Sequence, residues 1–248
     1  MKTIIAALAA AFTLTCFAAS PPADQPEASP IFIYATYFHC NSWPVVKADE
    51  AVTKWHRLKL TELIRDHKVS SWGYLARNTG GEWARAQYLT APSVKAVLDA
   101  EAWYIPNVDR PKMEMDFLEA CPSSENYIWH MVAGNDVRTR RGKAAFSTYY
   151  VCDQSRETQA DALVKRVFAP IYDKLVADGK LTSWGWAEHI VGGKYRRLGT
   201  MTAPTMDALI AAREGIVAAA EHDPVNEAFN SICGSHQDYI WDLVEQGP

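Results

Sequence analysis

Three histidines, His39, His130 and His189, are the side chains in this sequence best suited to proton transfer. Imidazole titrates near neutral pH, so each can act as a general acid or base, or ligate a metal. Glu188 precedes His189, but adjacent residues of a strand face opposite sides, which weakens a simple Glu-His dyad there. Arginine offers a second chemistry. Arg85 and Arg197 each follow an aromatic by two residues, Trp83 and Tyr195, a spacing that puts both on one strand face and suits an anionic ligand. The plainer reading of either arginine is an ion pair or a solvated strand position. Arg77 is a third candidate for ligand binding. The sequence has no H-E-x-x-H, G-x-S-x-G, P-loop, Rossmann glycine run or C-x-x-C, and Gly192-Gly193-Lys194 lacks the rest of a phosphate loop.

What must position these residues is written twice. A shift of 112 superimposes 37–132 on 149–244 without a gap, with roughly a quarter of the pairs identical. Ser71-Trp72-Gly73 meets Ser183-Trp184-Gly185, Gly80-Gly81 meets Gly192-Gly193, and Tyr127-Ile128-Trp129 meets Tyr239-Ile240-Trp241. Identity between copies points to shared structure, so these tryptophans and tyrosines read as packing residues. Differences point to activity: His189 stands opposite Arg77, His39 opposite Val151, and His130 opposite Asp242.

Each copy opens with a strand-like run before Cys40 or Cys152. A helix follows, with Val164, Val167, Phe168, Ile171 and Leu175 on one face in the second copy and Pro170 expected to kink it. Two strands, 69–78 and 83–90 in the first copy, turn at Gly80-Gly81. A second helix opens after Pro92 or Pro204, and short strands hold 127–132 and 239–244. The order β-α-β-β-α-β is that of a ferredoxin-like module, so the expected fold is α+β, with modules at 31–133 and 146–248 and a linker at 134–145. Arg138, Arg140, Arg141 and Lys143 in that linker read as a solvated connector, with docking of an acidic partner as the other reading.

The cysteines bear on this topology. Cys40 and Cys121 are 81 residues apart, as are Cys152 and Cys233. In a ferredoxin-like sheet the end of the first strand lies beside the start of the fourth, so pairing within each copy is expected. Pairing between copies is the alternative, and a zinc site is less favoured because no two cysteines are close in sequence.

The duplicated pattern resembles the dimeric α+β barrel superfamily, with two subunits fused in one chain and their sheets packed against each other. The Ala169-Pro170-Ile171-Tyr172 helix followed by Leu181-Thr182-Ser183-Trp184-Gly185 is similar to NIPSNAP and EthD-like members. The resemblance implies a barrel with a small-molecule cavity, in families that include cofactor-free monooxygenases, cyclases and haem enzymes such as chlorite dismutase. The expected activity is therefore binding of a small aromatic or apolar molecule by a monomeric pseudo-dimer, or catalysis with or without haem.

Residues 1–20 have Lys2, an apolar run and a small-residue end, the order of a secretory signal, and 21–30 are proline-rich. Thr13 and Thr15 do not suit a lipobox before Cys16. An exported, periplasmic or secreted protein is expected, with no membrane span left after processing. Loss of Lys2 moves the formal net charge from −4 to about −5, and a chain without basic excess is a poor nucleic-acid binder.

Overall fold

The computed structural model describes residues 29–41, 45–107, 111–135, 141–220 and 223–248. The expected signal segment lies outside them, as do all but the last two residues of the proline-rich segment. Eight strands form one closed antiparallel barrel. The first half contributes β1 Phe32–His39, β2 Ser71–Gly80, β3 Arg85–Ala91 and β4 Ser123–Gly134. The second contributes β5 Ala144–Val151, β6 Ser183–Val191, β7 Arg197–Ala203 and β8 Ser235–Gly247. Within each half the hydrogen-bonded order is last, first, third, second: β4-β1-β3-β2 and β8-β5-β7-β6. The ring closes where β2 pairs with β8 and β4 with β6.

That closure agrees with the expected α+β barrel and adds that the two sheets, expected to pack face to face, are also hydrogen-bonded edge to edge. It also explains why the last strands, expected to be short, run 12 and 13 residues. The pairing of β4 with β1 extends from Ser123 to His130, and its far end then continues along β6 as far as Gly134. Each long strand thus serves two partners, one from the other half, and no sheet edge is left unpaired.

Helices cover the barrel outside. The first half has α1 Val45–Ala51, α2 Arg57–Arg65, α3 Val94–Asn107 and α4 Pro111–Ala120. The second has α5 Glu157–Leu163, α6 Ala169–Ala177, α7 Met206–Ala220 and α8 Pro224–Asn230. A π-turn joins α1 to α2 at Val52–His56 and another joins α5 to α6 at Val164–Phe168. Because the first has no proline near it, Pro170 is not the cause of the distortion, which belongs to both halves. The short α4 and α8 were not expected. Proline opens each, and Asp223 caps α8 by accepting from the Val225 N–H.

Strand alternation separates two cores. Trp72 and Trp184 point outward beneath helices, in clusters with Leu60, Leu63 and Ala100 or Leu209 and Ile216. Tyr127, Trp129, Tyr239 and Trp241 point into the lumen. Disulfides Cys40–Cys121 and Cys152–Cys233 pin the end of the first strand of each half to the start of its last. The pairing is within halves, as the topology requires.

Candidate functional site

One end of the barrel is plugged by aromatic rings. Trp83 stacks on Tyr37 at 4.1 Å and on Tyr239 at 5.2 Å between centroids. Tyr127 stacks on Trp129 at 5.0 Å, and the matching pair Tyr239 and Trp241 at 4.8 Å. Burial pushes the phenols of Tyr37 and Tyr149 far up, so both stay protonated. The hairpin glycines are part of this closure. Gly80 (φ 124°) lies against Tyr239 and Gly192 (φ 144°) against Tyr127, each the tyrosine of the opposite half, so a Cβ would be both strained and blocked.

Towards the other end the lumen is hollow. A cavity of about 600 Å³ is walled by small and aliphatic side chains, among them Ile33, Ala35, Leu75, Ala86, Ala145 and Leu198, with Tyr37, Tyr149 and Trp241 as its floor. Near the mouth stand two hydroxyl pairs at equivalent positions, Ser71 with Thr90 at 2.7 Å and Ser183 with Thr202 at 2.6 Å. Arg141 completes the mouth, its guanidinium donating to the Tyr88 hydroxyl at 2.7 Å and to Ser71 Oγ at 3.2 Å. This corrects the reading of Arg141 as a solvated connector: it is half-buried and lines the cavity. Arg138 and Arg140 lie outside the described residues, and Lys143 is exposed.

The predicted residues fall elsewhere. His189 faces the plug, with Tyr127 and Trp129 edge-on at 6.1 and 6.0 Å. Its Nδ1 meets Arg196 at 2.8 Å, while its Nε2 is buried without a hydrogen-bond partner. Burial, and then the Arg196 charge, hold its pKa below the usual value. His39 Nε2 lies 3.1 Å from Glu125, which also accepts from the Trp83 indole at 3.2 Å. His130 lies on the outer face, stacked on Phe32, and does meet a glutamate: Glu188, opposite it across β4 and β6, lies 2.8 Å from its Nδ1. No histidine is among the described residues that line the cavity.

Arg85 and Arg197 face out under the helices. Each makes a two-pronged pair with an aspartate of the first helix of its half, Asp49 at 2.6 and 2.7 Å and Asp161 at 2.7 and 2.8 Å. The expected shared face with Trp83 and Tyr195 fails because β3 and β7 begin at the arginines themselves, and alternation does not extend back into the turn. Trp83 and Tyr195 belong to the plug. Arg77 is exposed near the hairpin and donates to the Gly81 carbonyl.

A second space, of about 290 Å³, lies between sheet and helices of the second half. It exists because Gly199 and Ile216 stand where the first half has Gln87 and Tyr104, which fill the equivalent region and hydrogen-bond at 3.3 Å.

No family model matches the chain, and no curated protein matches it. Solved structures do share its fold. A proposed monooxygenase from Lactobacillus acidophilus aligns at TM-score 0.58 and 7% identity over 88% of this chain and 96% of that one. A chlorite dismutase variant from Candidatus Nitrospira defluvii aligns at 0.52 and 7% over 86% and 90%. At these identities the likeness is one of fold, the α+β barrel with a ferredoxin-like strand order. Among the described residues that line the cavity there is no histidine, and the four described cysteines are paired, so these residues offer haem iron neither an imidazole nor a thiolate there.

Proposed function

We propose that the chain is a tandem fusion of two ferredoxin-like modules that acts as an exported binding protein, holding a small, largely apolar or aromatic molecule in the barrel lumen. The observation that carries this is the 600 Å³ cavity itself, within the size range of small-molecule sites and walled mainly by carbon. A barrel needing only a core would fill that space, as the aromatic plug fills the other end. Fusion is supported by the strand order, the disulfide and the Arg-Asp pair, each of which recurs 112 residues later. It also lets one chain close the barrel as a monomer. Export is supported by the two disulfides, which persist in oxidising compartments.

The enzymatic reading has less in its favour. Acid-base catalysis in the lumen would have to use Tyr88 and Arg141, because His39, His130 and His189 stand away from it.

The test is saturable binding of the neutral fluorophore N-phenyl-1-naphthylamine, followed by its emission. The native protein is expected to bind one molecule per chain, and Ala145→Phe, which projects a ring into the cavity, to weaken binding at least about tenfold. Absence of saturable binding, or equal binding by the variant, would overturn the proposal.

A further inference from the structure

We infer that the lumen selects amphiphilic organic monoanions, with an apolar body inside the barrel and the negative group at Arg141. The inference rests on the lumen reading above and adds the chemical class of the ligand.

Arg141 is the only charged side chain among the described residues that line the cavity. A guanidinium has five N–H donors, and here two are committed, both to neutral hydroxyls. Its hydrogen bonds include no carboxylate among the described residues. Three other buried or half-buried arginines behave differently. Arg85, Arg196 and Arg197 each hold a carboxylate at 2.6 to 2.7 Å. A half-buried cation that no carboxylate side chain pairs with among the described residues, beside carbon walls, is a place where an anion gains a charge-assisted hydrogen bond in a medium of low dielectric.

The group is also held in position. The Arg141 backbone N–H donates to Gln246 Oε1 at 2.8 Å, and the Gln246 amide donates back to the Gly142 carbonyl at 2.8 Å. The Tyr88 ring lies beneath the guanidinium, 5.3 Å from centroid to Cζ. An anion therefore meets a guanidinium that is already oriented, which lowers the ordering cost of binding.

Pseudo-symmetry limits the charge to one. The position equivalent to Arg141 in the first half is Ser29, which also lines the mouth. One cation and one hydroxyl residue thus line the opening at equivalent positions, an arrangement suited to a single carboxylate or sulfonate on one side of an otherwise apolar ligand.

The test compares two probes with the same ring skeleton, N-phenyl-1-naphthylamine and 8-anilinonaphthalene-1-sulfonate. The full-length protein is expected to bind the sulfonate about tenfold more tightly, with the preference shrinking as salt is raised. In Arg141→Gln the ratio of the two affinities is expected to fall to about one, and Arg141→Lys, which restores charge without the planar fork, to recover part of it. Equal affinities in the native protein, or a preference that survives Arg141→Gln, would overturn the inference. Ala145→Phe separates the two claims. If it weakens both probes while their affinities are equal, the lumen binds but without charge selection. If neither probe is weakened, the lumen reading itself fails, and the inference with it.

Discussion

Gly73 and Tyr88 are directly opposed across β2 and β3, and the tyrosine ring lies where a Cβ on residue 73 would be. The glycine is what lets the phenol cross the strand and reach Arg141. Gly73→Ala is expected to push the ring aside, destabilise the fold by about 1–3 kcal/mol through overpacking, and weaken binding of the sulfonate probe. The equivalent Gly185 meets the flexible end of Met131 and the hydroxyl of Thr200. Gly185→Ala should therefore cost less. Urea denaturation of both variants checks the order, and an equal or reversed order would contradict the role assigned to Gly73.

Much of this scaffold was legible because its signals were written twice. The hairpin glycines, the Ser-Trp-Gly strands and the cysteine spacing each recur at the same offset, and each reports a local requirement: a positive φ, an alternation, a neighbouring strand end. The mouth of the cavity was not legible. Arg141 meets Ser71 on β2, Tyr88 on β3 and Gln246 on β8, a set that only barrel closure brings together. The same closure hid the true lengths of β4 and β8, whose far ends pair with the opposite half. Arg85 and Arg197 were visible as a matched pair, but their partners Asp49 and Asp161 sit 36 residues away on helices.

Those two ion pairs differ in burial, which yields a ranking. Arg197 and Asp161 have side chains 4% and 14% exposed, against 11% and 27% for Arg85 and Asp49. Removing one partner of a buried pair costs about 3–5 kcal/mol where the other charge is left uncompensated, as Arg85 would be without Asp49, whereas Arg197 also holds Glu157 at 3.0 Å. Asp161→Ala also removes the acceptor for the Trp186 indole at 2.8 Å, and Asp49→Ala that for the Tyr74 hydroxyl at 3.1 Å. In a Glu157→Gln background, where Arg197 keeps no second carboxylate, Asp161→Ala is expected to be the more destabilising in chemical denaturation, by at least about 1 kcal/mol, with Asp49→Ala towards the lower end of that range. Neither should alter the ratio of sulfonate to neutral probe affinity, because both aspartates lie outside the barrel. A larger cost for Asp49→Ala would show that burial is not what sets the penalty.

The first half also carries two buried titratable groups that the second half lacks, and they act with opposite sign. His56, against Tyr104 and Phe117, is held at about 4 by burial, where the second half has Phe168. Glu101 on α3 is pushed up to about 7 by burial, where the second half has Arg213. For His56 the unfolded chain binds the proton more tightly, so its contribution is full above pH 6.5 and is lost as pH falls towards 4, about 3 kcal/mol in all. For Glu101 the folded chain binds it more tightly. That contribution is full below pH 4.5 and is lost as pH rises through 7, about 2 kcal/mol after allowance for partial exposure. Between pH 4.5 and 6.5 the two slopes oppose each other, so the native protein should show a flatter profile there than either variant. His56→Phe, which copies the second half, should leave a stability that declines with rising pH across this window, and Glu101→Gln one that climbs. Denaturation midpoints measured at half-unit steps of pH would reveal this, and parallel profiles for all three proteins would rule out burial of these two groups as the source.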